Sequence, residues 1–121
     1  MEERILLIGG GGHCKSCIDV IEQEQRFIIE GIIDRNELIG QSVLGYNIID
    51  CDENIEKYKS IKNVIITIGQ IKTPEPRIRL FALCRDAGFI MPIVVSPLAY
   101  VSKHTEIGEG TIIMHHAVVN A

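Results

Sequence analysis

The chain has 121 residues, of which 46% are hydrophobic and 23% are charged, a balance typical of one packed domain and not of a disordered segment. The net charge of −4, without any cluster of lysine and arginine, argues against nucleic acid as a partner, and no apolar run approaches the roughly 18 residues that cross a bilayer. The N-terminus lacks the layout of a secretory signal, so the four cysteines are expected to be reduced thiols in the cytoplasm.

The first elements of the chain are predicted to form a β-α-β unit. Residues 5–8 are a continuous apolar run, which is typical of a buried parallel strand, and the four glycines 9–12 follow it directly. Apolar residues then recur with the spacing of an amphipathic helix, at Cys14, Cys17, Ile18 and Ile21. A second apolar run, 27–33, ends at Asp34, so the glycines are predicted to join a strand to a helix.

Strands and helices continue to alternate along the next part of the chain. The predicted elements are a weak strand at 43–49, a short acidic helix at 52–60, a strand at 64–68 ended by Gly69, a helix at 77–87 begun by Pro74 and Pro76, and a strand at 89–95 interrupted by Pro92. This order predicts an open, doubly wound, Rossmann-like α/β domain with a parallel sheet. We expect that domain to occupy residues 1–93.

The pattern changes in residues 94–121. Large aliphatic residues recur there at every sixth position, at Val95, Val101, Ile107, Ile113 and Val119. A six-residue period indicates a short strand and a turn in each repeat, with the aliphatic side chain facing the axis of a β-helix. Because each repeat is buried only by neighbouring coils, we expect these residues to be the start of a β-helix that is cut off in mid-repeat.

The glycine turn supports three interpretations. Glycines 9–12 would let backbone N–H groups approach a diphosphate at the start of a helix, and Asp34 follows the second strand where a dinucleotide fold has its ribose-binding carboxylate. Cys14 stands where the nicotinamide fingerprint has its third glycine, which favours a different nucleotide. Alternatively, Cys14-x-x-Cys17 with His13 forms a metal or redox site, although it lacks the second ligand pair of zinc sites. In the third interpretation the glycines only make a turn, and Cys17 packs in the core.

Five features follow one another along the chain: a glycine run before His13-Cys14-Lys15, a strand ending in Ile32-Ile33-Asp34, a strand ending in Ile66-Thr67-Ile68-Gly69, Arg77 at the next helix, and six-residue repeats. Together they resemble the NeuD/PglD-type sugar acyltransferases, which transfer acetyl from acetyl-CoA to an amino or hydroxyl group of a sugar. The resemblance implies an N-terminal domain that holds a UDP- or CMP-linked sugar. It further implies a left-handed β-helix that forms a homotrimer and binds acetyl-CoA between subunits, a role in bacterial surface-glycan or sialic-acid-like sugar biosynthesis, and no metal.

The same resemblance implies a set of binding residues. The glycine turn and His13 would lie along the phosphates and the sugar, Asp34 would meet the nucleoside, and Arg77 would lie near the phosphates. The strand end before Gln70 would close the pocket. The complete set carried over to this chain is Gly9, Gly10, Gly11, Gly12, His13, Lys15, Asp34, Arg35, Ile68, Gly69, Gln70 and Arg77.

The catalytic histidine is expected outside this chain. In the family that residue, the general base for the acceptor amine or hydroxyl, lies in a later coil, which would fall beyond residue 121. His104, His115 and His116 are therefore interpreted as turn or surface residues, and the chain is expected to be the substrate-binding part of the enzyme. Two other functions stay open, namely a nucleotide- or CoA-binding regulatory module and a non-catalytic scaffold for self-association.

Overall fold

A computed structural model of the protein describes residues 3–69 and 73–120. The strands of its main sheet are β1 (Glu3–Ile8), β2 (Phe27–Ile33), β3 (Ser42–Val43), β4 (Tyr46–Asp50) and β5 (Asn63–Ile66). They lie in the order β3-β4-β2-β1-β5. Strands β4, β2, β1 and β5 are parallel, and β3 is antiparallel to β4 at one edge. The predicted Rossmann-like α/β fold is confirmed.

Helical segments cover both faces of this sheet. Helix α1 (Gly12–Glu24) packs on one face. A 3₁₀ segment (Asp52–Ile61), where the sequence predicted a short acidic helix, packs on the other face together with α2 (Glu75–Asp86). None of the helices within the described residues is long and apolar enough to cross a membrane. The result is a three-layer sandwich with one hydrophobic core on each side of the sheet.

Strand β1 lies at the centre of the sheet and contributes to both cores. Ile5 and Leu7 face α1, whereas Leu6 and Ile8 face the opposite layer, because successive side chains of a strand point to opposite faces. From β1 the chain runs through α1 to β2 on one side, and it later returns to β5 on the other side. The carboxyl end of β1 is therefore the topological switch point, where open α/β sheets bind their ligands.

Residues 43–49, predicted as one weak strand, belong instead to a β-hairpin. Leu44 and Gly45 lie between β3 and β4, and both have positive φ, 49° and 88°. Two consecutive residues with positive φ make the tight turn whose twist suits a hairpin. Gly45 therefore marks the turn between two strands and not an irregularity within one.

The strand predicted at 89–95 is also different in the structure. Of the predicted strand residues 89–95, which all lie within the described part of the chain, Ile90 is the one that pairs with the main sheet, through a single bridge to Asn63. Val94–Val95 forms β6, which pairs with the C-terminal segment. Pro92 lies between these two pairings and has no N–H to donate to a sheet ladder, so the chain leaves the main sheet at this proline.

Four two-residue strands characterise residues 94–120, which we call the C-terminal segment. They are β6, β7 (Tyr100–Val101), β8 (Ile112–Ile113) and β9 (Val118–Val119). Strand β6 pairs in parallel with β8, and β7 pairs in parallel with β9. In both pairs the partner residue lies 18 positions further along the chain, which equals three of the six-residue repeats seen in the sequence.

The C-terminal segment packs against α1. Val94 is fully buried in the core that α1 shares with the sheet, and Ile112 and Met114 pack on the same cluster. Two hydrogen bonds add to this contact: Arg26 donates from Nη1 to the carbonyl of Ile93 at 3.0 Å, and the Val95 N–H donates to the Glu24 carboxylate at 3.1 Å. The segment is thus held close to the helix that follows the glycine turn.

Candidate functional site

The glycine turn begins at the switch point with a residue that only glycine suits. Gly9 has φ of +119°, and a Cβ there would lie 2.3 Å from Cγ2 of Ile68. Its N–H donates to the carbonyl of Ile33 at 2.8 Å, and its own carbonyl accepts from the Thr67 hydroxyl at 2.6 Å. Gly9 therefore ties the ends of three neighbouring strands together.

The following glycines form the open part of the turn. Gly11 and Gly12 are exposed, and a Cβ on either would meet no atom within 4 Å. Gly11 is the N-cap residue of α1 and offers no side-chain cap to the N–H groups of the first helical turn. Uncapped N–H groups at a helix start carry the positive end of the helix dipole, so this corner is suited to an anion such as a phosphate.

The Asp34 side chain forms a hydrogen bond with the backbone of the glycine turn. One of its carboxylate oxygens accepts from the Gly10 N–H and the other from the Arg35 N–H, both at 2.7 Å. The sequence predicted a contact between Asp34 and a nucleoside, and it gave no indication of this internal role. Because each carboxylate oxygen accepts more than one hydrogen bond, the half-buried Asp34 keeps acceptor capacity for a ligand hydroxyl.

A cavity of about 120 Å³, which we call the aspartate cleft, lies on one side of Ile68. Its lining combines an apolar floor with charged side chains and consists of Ile8, Gly9, Ile33, Asp34, Arg35, Asp52, Ile68, Arg79 and Leu80. At its edge Arg79 Nη1 lies 3.1 Å from the Asp52 carboxylate. Neither residue of this ion pair was predicted from the sequence, which has no motif around them.

A larger cleft of about 530 Å³, the histidine cleft, lies on the other side of Ile68. It is lined by His13, Ile68, Gly69, Arg77, Phe81, Glu109, Gly110, Thr111, Ile112 and Met114. The first four come from the predicted set, whereas the last five form a wall contributed by the C-terminal segment. The sequence did not predict this wall, because the six-residue period defines strands and turns but not which α/β element the turns approach.

Close contacts hold the predicted residues of the histidine cleft together. A Cβ on Gly69 would lie 3.6 Å from the Cβ of His13, so the segment that follows β5 lies close to the start of α1. Arg77 donates from Nη1 to the carbonyl of Ile68 at 3.2 Å, which fixes its guanidinium at the edge of the cleft. Arg77 and His13 therefore lie with Glu109 around one opening, a mixed set of charged and polar groups.

The predicted set is thus divided between two clefts. Asp34 and Arg35 lie in the aspartate cleft, His13, Gly69 and Arg77 lie in the histidine cleft, and Ile68 lines both. Gly9 also lines the aspartate cleft, whereas Gly10, Gly11, Gly12 and Lys15 line neither cleft. Lys15 is exposed on α1, and Gln70 lies outside the described residues.

The two cysteines of the glycine-turn motif lie in the core. Cys14 and Cys17 are fully buried. Burial raises the pKa of Cys17 to about 12 and also raises the pKa of Cys14, so both thiols are protonated and poorly reactive near neutral pH. No group of three metal-binding side chains occurs in residues 3–69 or 73–120. This geometry favours core packing over the metal or redox interpretation.

The fold and the site define a Rossmann-like α/β domain whose glycine turn opens at the switch point of the sheet. Residues 4–80 match the PglD N-terminal domain family. The chain therefore belongs to that family, as its resemblance to the NeuD/PglD-type proteins predicted.

Solved structures with this fold include sugar acetyltransferases. A histidine-to-asparagine mutant of perosamine N-acetyltransferase from Caulobacter crescentus, in complex with CoA and GDP-perosamine, is 27% identical with a TM-score of 0.86, over 97% of this chain and 54% of that one. The acetyltransferase domain of PglB from Neisseria gonorrhoeae FA1090, in complex with acetyl coenzyme A, has a TM-score of 0.83 over 98% of this chain and 56% of that one. At 22% identity the latter likeness shows the fold alone.

A sequence relative occurs in Acanthamoeba polyphaga mimivirus. An uncharacterized protein of that virus is 31% identical over 118 residues, which are 97% of this chain and 22% of the viral protein. The chain thus spans about half the length of the two acetyltransferase structures and about a fifth of the viral protein.

Proposed function

We propose that this chain is the nucleotide-sugar-binding part of an acetyl-CoA-dependent sugar N- or O-acetyltransferase, in bacterial surface-glycan or sialic-acid-like sugar biosynthesis. The observation that carries the proposal is the position of the histidine cleft. It opens at the switch point of the sheet, between the uncapped start of α1 and a wall made by the six-residue repeats. Family membership and the likeness to perosamine N-acetyltransferase, which was solved with CoA and GDP-perosamine, support this assignment.

The two clefts suggest how a nucleotide-sugar would be bound. The diphosphate would accept hydrogen bonds from the N–H groups at the start of α1, with Arg77 as a charged partner at the edge of the cleft. The nucleoside would lie on the side of Asp34, whose carboxylate can accept from ribose hydroxyls. The sugar would then point towards His13 and the wall of the C-terminal segment. The identity of the nucleotide is open. The resemblance implied UDP or CMP, and the complex of perosamine N-acetyltransferase with GDP-perosamine adds GDP to these.

The C-terminal segment would supply the second half of the enzyme. We propose that its strand pairs, offset by 18 residues, are the first coil of a left-handed β-helix, so that residues 1–93 and 94–121 form two domains. Further coils would build a homotrimer and bind acetyl-CoA as co-substrate. A histidine beyond residue 121 would take the proton as the acceptor amine or hydroxyl attacks the thioester carbonyl and CoA leaves as the thiol. We place this protein in the cytoplasm, where such substrates occur.

Calorimetric titration of the chain with GDP-, UDP- and CMP-linked amino sugars tests the proposal. We expect saturable binding of at least one of them. The variant Arg77→Met should weaken that binding by roughly tenfold, the value of one charge-assisted hydrogen bond. Lys57→Met is the matched control, because it removes one exposed positive charge from the 3₁₀ segment, away from the histidine cleft.

Titrations with CoA and NAD⁺, together with light scattering, separate this function from the two alternatives. Binding of CoA or NAD⁺, with no nucleotide-sugar bound, would favour a regulatory module. Self-association in light scattering without any bound nucleotide would favour a scaffold. Equal affinities of wild-type protein and Arg77→Met for the nucleotide-sugar would remove Arg77 from the site.

A further inference from the structure

His115 lies in a turn, as the sequence predicted, and its side chain also forms a bridge between two elements. Its side chain is 24% exposed, and its Nε2 lies 2.8 Å from the carboxylate of Asp19 on α1. Its Nδ1 is hydrogen-bonded to the hydroxyl of Ser96, a residue that is 1% exposed. Both ring nitrogens are therefore occupied. The sequence gave no indication of these contacts. His104 and His116 are exposed turn residues, as predicted.

Ser96, the residue that pairs with His115, forms a second hydrogen bond within its own turn. The Leu98 N–H donates to the Ser96 hydroxyl oxygen at 3.0 Å, so that oxygen already acts as an acceptor. On the other side of the ring the Asp19 carboxylate accepts from the Nε2–H, and Nδ1 pairs with the same Ser96 hydroxyl. Nδ1 and Nε2 of His115 are thus both engaged in hydrogen bonds within the protein, and the ring is held between α1 and the C-terminal segment.

The bridge joins the two sides of the histidine cleft. Asp19 lies six residues after His13 on α1, a rise of about 9 Å along the helix, and His13 lines the cleft at the helix start. On the other side, Ile112 and Met114 line the cleft directly before His115. A hydrogen bond between Asp19 and His115 therefore links the helix that carries one side of the cleft to the strand end that carries the other.

Other contacts between α1 and the C-terminal segment lie at a different position. The Glu24 and Arg26 side chains hold the backbone on either side of Val94, at the C-terminal end of α1. These bonds fix β6, whereas the cleft wall is formed by the part of the segment around β8. Among the hydrogen bonds within the described residues, the one between Asp19 and His115 connects α1 to that part of the wall.

We propose that His115 is a positioning residue: through Asp19 and Ser96 it holds the wall formed by residues 109–114 at a fixed distance from α1 and so sets the width of the histidine cleft. The inference rests on the proposed function for the identity of the ligand, but the positioning itself is a property of the free protein. His115 acts through Met114 and Ile112 and does not itself contact the sugar.

Affinity for the nucleotide-sugar is the first test. His115→Ala should weaken binding by roughly three- to tenfold, the change expected from losing one net hydrogen bond. His115→Gln should recover most of the affinity, because its side-chain amide can still donate to Asp19. His116→Asn is the matched control, since His116 is the exposed neighbour and has φ of +61°, a conformation that asparagine tolerates. Equal affinities of His115→Ala and wild-type protein would overturn the proposal.

A double-mutant cycle tests whether Asp19 and His115 act together. Asp19→Ala should also weaken binding, and adding it to His115→Ala should weaken binding no further, because His115→Ala already removes the contact with Asp19. Losses that simply add would show two independent effects and would contradict the bridge. A loss in His115→Gln equal to that in His115→Ala would do the same.

Hydrogen exchange in the ligand-free protein decides the positioning role separately. The N–H groups of Val94 and Ser96 donate to the carbonyls of Thr111 and Ile113, both at 2.9 Å. They should exchange faster in His115→Ala by roughly the same three- to tenfold factor, while the amides of β1 should not change. Unchanged exchange at Ser96 would overturn the positioning role. If wild-type protein bound no nucleotide-sugar, the proposed function would fail, whereas this exchange result would still decide the inference.

Discussion

Strands β1 and β9 are both short apolar stretches, yet their surroundings differ completely. Residues 5–8 of β1 are at most 2% exposed, whereas Val118 of β9 is 65% exposed. Strand β1 is paired on both sides and covered by helical segments on both faces, but β9 is paired with β7. The comparison shows that an apolar strand is buried by its neighbours and not by its own composition.

The same contrast occurs within the C-terminal segment. The pair β6–β8 has the support of α1, and Val94 and Ile113 are 0% and 7% exposed. The pair β7–β9 has outward-facing side chains at Tyr100 and Val118 that are 59% and 65% exposed. In repeat architectures each unit depends on its neighbours for burial, so stability should fall from the first pair to the second.

Truncating one side chain in each region should give the largest difference. Ile18→Ala removes a fully buried side chain of α1 and should lower the free energy of unfolding by about 2–5 kcal/mol. Val118→Ala removes an exposed side chain and should change it by no more than about 0.5 kcal/mol. Urea unfolding of both variants measures these values. Comparable losses in the two variants would show that β9 is buried in solution.

The glycine turn offers a second comparison, between neighbouring positions. Gly9→Ala would place a methyl group 2.3 Å from the Ile68 side chain at a φ of +119°, and it should cost about 2–3 kcal/mol in stability through strain and overlap. Gly11→Ala adds a methyl group in open space at a φ of −81°, and it should cost about 0.5–1 kcal/mol, because alanine is a poorer N-cap residue than glycine. Thermal unfolding of the two variants checks this. A stable Gly9→Ala protein would show that the β1–α1 junction is looser than described.

Much of the α/β region could be predicted from the sequence because its signals are local. A continuous apolar run at 5–8, a glycine turn and a helical period starting at Cys14 specify β1, the turn and α1 within 20 residues. The six-residue period of the C-terminal segment similarly predicted regular short strands, and these pair at an offset of three repeats. Local periodicity is the strongest signal that a single sequence carries.

The parts that could not be predicted depend on contacts between distant residues. The hydrogen bond from Gly10 to Asp34 spans 24 positions, and the one from His115 to Asp19 spans 96. Nothing in the residues around Arg79 indicates that it pairs with Asp52 at the edge of the aspartate cleft. The division of the predicted set into two clefts, with Ile68 between them, likewise follows from packing and not from any motif.

A smaller effect on stability, seen only at acid pH, is expected from Asp50 at the end of β4. Hydrogen bonds from Asn54, Tyr58 and the Cys51 N–H lower the pKa of Asp50 from 3.8 to about 2. Because the folded-state pKa lies below the unfolded one, this stabilisation is present above about pH 4 and is lost as the pH falls towards 2. Asp50→Asn should therefore reduce the loss of stability between pH 4 and pH 2.

Urea midpoints measured at intervals from pH 2 to pH 5 check this expectation. Asp86→Asn is the matched control, because the Asp86 side chain is 77% exposed at the end of α2. It should leave the acid dependence close to that of the wild-type protein. An Asp50→Asn variant with wild-type acid dependence would contradict the hydrogen-bonded network at the end of β4.

No change is expected in one measurement, the thiol reactivity of Cys84 when the C-terminal segment loosens. This measurement distinguishes opening of the α/β region from opening of the C-terminal segment. All four cysteines precede residue 94. Burial raises the pKa of Cys84 to about 11 from 9.0, which lowers the thiolate fraction near neutral pH by about a hundredfold. Labelling with a thiol reagent should therefore be very slow until the α/β region opens.

The variant His115→Ala connects this measurement to the comparison of the two regions. Cys84 lies in the core on the α2 side of the sheet, whereas Val94, Ile112 and Met114 of the C-terminal segment pack on the α1 side. Loosening that segment should speed hydrogen exchange at Ser96 while leaving the labelling rate of Cys84 at its wild-type value. If both rates rose together, the two regions would open as one cooperative unit, and the burial of Val94 against α1 would be the contact that couples them.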